Sequence, residues 1–376
     1  MRYGEITNGH IAMSERDYWL GFSLCEGIGP KRFDQLLKAF GSAKDAWHAS
    51  EADIVGVIGR VFAVKVAAFR STFDGDTYLK KLEKAKAWFV ILNEDSYPEL
   101  LNRSHNPPFV LFGIGSKDLL RHSQTIGIVG TRKVTTYGRQ VTEMITSTLV
   151  QADYCVVSGL AMGVDALAHA TALNNGGKTI AVLGCGVDCC SPAENYQLYK
   201  EIITSGNTVV SEYPLSMPPT PGSFPSRNRI IAGLSQAVIV TEGAADSGAL
   251  ITARDSFTDN RPVFAVPGPI TSSLSSGPNS LLQKGGKLVT SGEDILCELG
   301  VKGDKRDKGV KSGAIKGETR EEQKVIDLLS NELMNFDEIA KRLKMKSSDI
   351  GVLLSIMEMK GFIVRSDRGD YQLKAS

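Results

Sequence analysis

The strongest constraint on the fold is a repeated alternation of short apolar runs with helical patterns between Gln124 and Leu299. This alternation is typical of βαβ units, in which helices join parallel strands and cover the sheet. The predicted strands are Thr125–Val129, Tyr154–Val157, Thr179–Leu183, Thr208–Val210, Ala237–Val240 and Val263–Val266. We therefore expect an α/β fold with an extended Rossmann-like parallel sheet.

Each predicted strand is followed by a turn of small residues. The turns span Gly130–Lys133, Ser158–Gly163, Gly184–Gly186, Ser211–Pro214, Thr241–Gly248 and Pro267–Gly268. Ligands of open parallel sheets bind outside the carboxyl ends of the strands, where these turns must lie. The pattern predicts a long binding groove. The alternative is that the glycines only allow helices to pack closely on the sheet.

Two of these turns carry groups that suit a phosphate. The first contains Arg132 and Lys133 beside backbone amides, and the second leads into a helix that begins near Val164. Guanidinium groups and helix N-termini both favour anions. Asp165 and His169 share a face of that helix at i, i+4. They lack a third ligand in sequence, so we expect a buried mutual hydrogen bond and no metal site.

An aromatic residue and two arginines precede the fifth strand. Phe224 can stack on a base, and Arg227 and Arg229 can bind phosphates. The alternative is that the arginines tie the helix Ile230–Leu234 to a carboxylate such as Glu242. We expect both to hold in part, with at least one arginine structural.

The motifs together resemble one known family. The segments GIVGTRK, SGLAMGVDALAHATAL, FPSRNRIIAGLS and VIVTEGAADSGALITA are similar to those of the bacterial DNA-processing protein A family, DprA or Smf. The resemblance covers about Tyr97 to Leu299. It implies a Rossmann-like domain that binds single-stranded DNA, forms a homodimer, and hands the strand to the RecA recombinase during natural transformation.

The resemblance also implies which residues bind DNA. These are Gly130, Thr131, Arg132, Lys133, Ser158, Gly159, Phe224, Arg227, Asn228, Arg229, Ser247 and Gly248. We expect no catalytic residues, no cofactor and no metal. The rival hypothesis is a nucleotide hydrolase of the phosphoribohydrolase type on the same fold. That hypothesis is weakened because the turn Thr241–Gly248 is followed by Ala249-Leu250-Ile251, with no carboxylate where those enzymes place one.

The flanking segments predict two further domains. Residues 1–80 are expected to form a helical domain of the SAM or helix-hairpin-helix type, followed by the Rossmann-like domain at 81–300. Two interpretations of the turn Gly27–Pro30 in the N-terminal helical domain stay open. In one the turn contacts a DNA phosphate, and in the other it only packs on the next domain. Residues 301–320 are predicted to be a flexible linker, and 321–376 a winged helix of three helices and a hairpin.

Composition limits the cellular setting and the mode of binding. The chain of 376 residues has a net charge of +1, so any basic surface must be local. Its six cysteines form no CxxC pair, which favours reduced thiols in the cytoplasm. There is no apolar run long enough for a secretory signal or a membrane span, so we expect no membrane partner.

Overall fold

The structure is a computed structural model. It describes residues 6–7, 10–11, 13–301, 317, 319–329, 334–343, 345–365 and 369–373. The chain forms two compact units, Met1–Lys302 and Gly303–Ser376. The predicted linker at 301–320 lies for the most part outside the described residues.

Along the chain, the helices of the first unit come before, between and after the strands of the sheet. They are α1 Glu15–Leu24, α2 Pro30–Phe40, α3 Ala43–His48, α4 Glu51–Ile58, α5 Arg60–Arg70, α6 Gly75–Lys84, α7 Glu99–Asn102, α8 Thr136–Gln151, α9 Val164–Asn174, α10 Tyr196–Thr204, α11 Ser223–Leu234, α12 Ala249–Thr258, α13 Ser276–Gln283 and α14 Gly292–Glu298.

The strands of this unit form a small hairpin and one large sheet. They are β1 Ile6–Thr7, β2 His10–Ile11, β3 Ala87–Ile91, β4 Val110–Gly115, β5 Thr125–Val129, β6 Cys155–Ser158, β7 Thr179–Val182, β8 Thr208–Ser211, β9 Ala237–Val240, β10 Val263–Ala265 and β11 Lys287–Leu288. The hairpin is β1–β2.

The large sheet has nine strands in the order β11-β10-β9-β5-β6-β7-β8-β4-β3. The strands from β11 to β8 are parallel to their neighbours, and β4 and β3 extend the sheet antiparallel. The α/β prediction is confirmed, with a sheet that is mostly parallel. Each predicted strand is found within one residue at either end, and the short edge strand β11 was not predicted.

Helices cover both faces of the sheet because the central strands are apolar on both sides. Ile126 and Ile128 of β5 pack with α8 and α9 on one face. Val238 and Val240 of β9 pack with α11 and α12 on the other. Every βα turn therefore lies at the same edge of the sheet, where the carboxyl ends of the parallel strands meet.

The N-terminal helices pack directly on β3 and β4. Trp19 and Phe33 are buried together with Phe109, and the rings of Phe33 and Phe109 stack at 4.1 Å. These residues belong to one hydrophobic core that also contains strand residues Phe89 and Phe112. The helical segment and the start of the sheet thus share a core, and a domain boundary at residue 80 stays a prediction.

The second unit is a winged helix with its own core. It contains α15 Arg320–Leu329, α16 Phe336–Leu343, α17 Ser347–Met359, β12 Ile363–Arg365 and β13 Tyr371–Leu373. The two strands pair antiparallel. Its core includes Ile339 and Leu354, both almost fully buried. The predicted three helices and hairpin are confirmed.

Three properties of the described residues bear on function. None of the described helices is both long and apolar enough to cross a membrane. No cluster of three or more potential metal ligands occurs in the described part of the chain. All six cysteines are free thiols, and Cys155 and Cys185 are buried among the sheet residues.

Asp165 and His169 are both buried on α9. The structure describes both side chains, and they form no hydrogen bond with each other. His169 Nδ1 lies 2.6 Å from the Thr179 hydroxyl, and Asp165 accepts a hydrogen bond from the Gly159 amide. The expected mutual hydrogen bond is therefore wrong, because each side chain is drawn to a different strand end. Burial lowers the pKa of His169 to about 3.

The buried neutral His169 should make stability depend on pH. The folded pKa lies below the unfolded value of about 6.5, so the unfolded chain gains a proton first as pH falls and stability is lost. From about pH 7 to about pH 5, the unfolding free energy of wild type should fall relative to His169→Gln, by about 2 kcal/mol. Urea unfolding at both pH values measures this. The exposed His48, changed to Gln, is the control, and a pH-independent difference for His169→Gln would contradict the prediction.

Candidate nucleic-acid interface

Most of the predicted residues meet at one cavity beside the carboxyl end of β5. The cavity has a volume of about 580 Å³ and lies where the chain, having run from β5 out to β8, returns to β9 on the other side of β5. Such switch points are the usual ligand sites of open α/β sheets. The predicted residues that line it are Gly130, Thr131, Arg132, Phe224, Arg227, Asn228, Ser247 and Gly248.

Arg132 and Phe224 lie together at the mouth of this cavity. Arg132 is exposed, and its guanidinium carbon is 5.8 Å from the centroid of the half-buried Phe224 ring. No carboxylate among the described residues lies within ion-pair distance of Arg132. Gly184 lies under the ring, where a Cβ atom would come within 3.1 Å of Phe224 Cδ1. An aromatic ring and an unpaired cation are therefore held side by side and open to solvent.

Arg227 is buried beneath the same cavity and is 5% exposed. Its Nη1 donates to the carbonyl of Gly159 at 2.5 Å and to the carbonyl of Val182. The Gly159 backbone lies so close that a Cβ atom there would be 2.5 Å from Arg227 Nη2. Glycine is required at this position, and Arg227 acts as a structural arginine.

The charge of Arg227 is balanced by a buried acid. Burial lowers the pKa of Arg227, and the nearby carboxylate of Asp165 opposes this shift. Burial likewise raises the pKa of Asp165, while Arg227 and the bond from the Gly159 amide favour the ionised form. The two groups compensate each other, so neither is free to bind a ligand phosphate as an isolated charge.

Arg229 pairs with a different carboxylate from the one expected. It forms an ion pair with Glu212, and its Nη1 donates to the carbonyl of Asn106 at 2.7 Å. Both charged side chains are nearly buried. Arg229 lies outside the cavity described above and lines a separate cavity beside the turn Gly27–Pro30. The structural alternative holds for this arginine, with Glu212 in place of Glu242.

Glu242 instead occupies the N-terminus of α8. Its carboxylate accepts from the Thr135 amide at 3.0 Å and from the Thr135 hydroxyl at 2.6 Å. The Thr135 hydroxyl in turn accepts from the Gly138 amide at 3.0 Å. Gly138 has no room for a side chain, because a Cβ atom would lie 2.0 Å from Glu242 Oε2. The anion-favouring end of α8 is thus filled by the protein itself.

The remaining predicted residues hold the site together or lie at its margin. The buried Ser158 hydroxyl donates to the carbonyl of Ile128, and it does not line the cavity. Asn228 donates to the carbonyl of Gly248 at 3.1 Å, which ties α11 to the turn after β9. Lys133 is exposed beside Arg132 but is not a lining residue.

Sequence analysis missed several residues of the site. Asp165 and Asp246 line the cavity, together with Thr252 of α12. Asp246 lies within the turn Thr241–Gly248, so its position was available from the sequence. The Glu212–Arg229 pair was not, because the two side chains come from different elements and nothing in their spacing links them.

Comparison with known proteins agrees with this geometry. Residues 88–300 match the family described as DNA recombination-mediator protein A, and residues 311–367 match the DprA winged helix domain. Protein Smf of Synechocystis is 38% identical over 296 residues, which is 77% of this chain and 74% of that protein.

Two solved structures are similar to the chain. The X-ray structure of DNA processing protein A from Streptococcus pneumoniae has a TM-score of 0.67 at 35% identity, over 75% of this chain and 97% of that one. A structure of DNA processing protein A from Helicobacter pylori, concerned with its single-stranded DNA binding mode, has a TM-score of 0.52 at 29% identity. It covers 57% of this chain and 95% of that one.

The family match spans more than half of the chain, and it contains the cavity, the exposed Arg132 and the aromatic ring of Phe224. The second unit, in which the winged helix is found, matches the DprA winged helix domain. The chain therefore belongs to the DNA recombination-mediator protein A family, DprA or Smf.

Proposed function

We propose that the chain binds single-stranded DNA along the carboxyl edge of its sheet and passes the strand to the RecA recombinase. The observation that carries this proposal is the exposed Arg132 beside the half-buried ring of Phe224 at the mouth of the cavity. An aromatic ring that stacks on a base, next to a cation for the adjoining phosphate, is the arrangement that single-strand binding proteins use. The related protein from Helicobacter pylori is described as binding single-stranded DNA.

The residues of the site have two kinds of role in this proposal. Arg132, with Lys133 beside it, binds phosphates, and Phe224 stacks on a base. Arg227 and Arg229 act from beneath by fixing α11, whose first turn carries Phe224. Gly130 and Gly159 leave room for Val164 and for the Arg227 guanidinium, so they support the site from inside the protein. We propose no catalytic step, cofactor or metal for this chain.

Membership of the family supports a wider proposal. We propose that the chain acts as a cytoplasmic homodimer that protects incoming DNA in natural transformation and loads RecA onto it. The test measures how fast RecA assembles on DNA coated with single-strand binding protein, with ATP hydrolysis by RecA as the readout. Wild type should shorten the lag of RecA assembly, and Arg132→Ala should do so much less. An unchanged lag with wild type would contradict RecA loading while leaving DNA binding intact.

Binding should prefer single strands and should depend on Arg132. A bare single strand exposes its base faces, whereas a duplex hides them, so oligo-dT should bind tightly and blunt duplex weakly. The log–log salt slope should become less negative by about 0.7 in Arg132→Ala, because one phosphate contact is lost. Fluorescence anisotropy at several salt concentrations measures both quantities.

Arg121 provides the matched control for this experiment. It is an exposed arginine four residues before the first residue of β5, on the side of the sheet where the parallel strands begin. Arg121→Ala should leave affinity and salt slope unchanged. Equal affinity for duplex and single strand would overturn the proposed groove. Release of free base from AMP by the purified protein would favour the phosphoribohydrolase alternative.

Removing Arg229 should damage stability more than DNA binding. Arg229→Ala leaves the nearly buried Glu212 without its cation, and breaking such a pair costs about 3 kcal/mol. Burial raises the pKa of Glu212 and Arg229 opposes that shift, so the loss should be smaller at about pH 5, where Glu212 can take up a proton. Chemical unfolding at two pH values measures this.

The double variant Arg229→Met with Glu212→Gln is the control, since it removes both charges and should recover much of the stability. The salt slope of oligo-dT binding should stay at the wild-type value in Arg229→Ala. A slope reduced as much as in Arg132→Ala would instead identify Arg229 as a phosphate ligand.

A further inference from the structure

The turn after β7 places a second exposed aromatic ring at the same edge of the sheet. Tyr196 is the first residue of α10 and is 45% exposed. Because α10 follows β7 in a βα unit, its N-terminus lies at the carboxyl edge. β7 is two strands along the sheet from β5, about 10 Å at the usual strand spacing of about 4.8 Å.

The ring of Tyr196 is supported from inside the protein. It stacks on Tyr199 with a centroid distance of 6.1 Å and an interplanar angle of 14°. Tyr199 is buried, and its hydroxyl donates to the carbonyl of Val187 at 2.7 Å. Asn195, the preceding residue, donates to the carbonyl of Leu160 at 2.8 Å, which joins this turn to the turn after β6. The ring of Tyr196 is therefore exposed to solvent, while the segment that carries it is held in place.

A cation accompanies the ring. Lys200 Nζ lies 4.5 Å from the Tyr196 centroid, and within the described part of the chain this ammonium has no carboxylate at ion-pair distance. A lysine on a flexible stem can leave the ring and pair with a phosphate when a base takes its place. Met162, 46% exposed in the turn after β6, adds a polarizable thioether between Arg132 and Tyr196 along the strand order.

The charges around Tyr196 favour base stacking over phosphate binding as the main contribution to DNA affinity at this turn. Asp188 is already occupied, since it accepts from the Ser216 amide at 2.7 Å and the Ser216 hydroxyl at 3.0 Å. Glu194, two residues before Tyr196, is exposed and adds a negative charge to this segment. Net attraction for phosphates is thus small, while the face of the ring can accept any base.

We propose that Tyr196, with Lys200 and Met162, forms a second stacking subsite for an unpaired base of the same DNA strand. The proposal rests on the proposed function, because the strand reaches Tyr196 only after it passes Arg132 and Phe224. The path follows the strand order from β5 through β6 to β7. The strand therefore crosses the carboxyl edge of the sheet and does not end in the cavity.

Oligo-dT of increasing length tests this subsite. Wild-type affinity should rise with length and show a step when the strand becomes long enough to reach Tyr196. Tyr196→Ala should bind the shortest oligonucleotides as wild type does and should lack the step, with about tenfold weaker binding of long ones. Its salt slope should be unchanged, unlike that of Arg132→Ala, because a stack is lost and no phosphate contact.

Tyr196→Phe is the matched control and should keep the step, since it retains the ring. Equal binding of Tyr196→Ala and wild type at all lengths would overturn the subsite. A loss of the same size at every length would also overturn it, because the ring would then act through the first site. Failure of the proposed function would give a different result from failure of the subsite. In that case wild type would bind no short oligonucleotide or would not prefer single strands.

Discussion

The arrangement of the site depends on a buried guanidinium group. Arg227 donates to carbonyls at the ends of β6 and β7 and so fixes the start of α11 over these strands. The next two residues extend the same function, because Asn228 holds the turn after β9 and Arg229 holds Glu212 after β8. Three consecutive side chains thus tie one helix to four strand ends. Phe224, one turn earlier on α11, takes its position from them.

Because the net charge of the chain is only +1, the proposed binding of a polyanion depends on local positive charge. The buried cations are satisfied by carbonyls and carboxylates, so they stabilise the fold without creating a basic surface. Arg132 and Lys133 remain exposed at the first turn and provide local positive charge. Few phosphate contacts imply a moderate dependence on salt, and aromatic stacking must supply the rest of the affinity.

The sequence predicted the layers of the fold well, because hydrophobic periodicity and small-residue turns are local signals. It failed where a role depends on which elements pack together. His169 bonds to Thr179 of β7, and Arg229 pairs with Glu212 after β8, so spacing along the chain could not identify these partners. The edge strand β11 was missed because its two residues are exposed and carry no apolar run. Sequence alone found eight of the residues that line the cavity, but it could not separate an exposed side chain such as Arg132 from a buried one such as Arg227.

The placement of carboxylates also determines where phosphates can lie. In dinucleotide-binding sheets the pyrophosphate sits at the N-terminus of the helix after the first strand. Here Glu242 fills that position on α8, and Asp165 lies in the first turn of α9. A phosphate at either helix would meet a buried carboxylate and be repelled. The phosphates of a ligand must therefore lie outside the turns, near Arg132, while its bases face the ring. A continuous single strand satisfies that geometry better than a nucleotide enclosed in the turn.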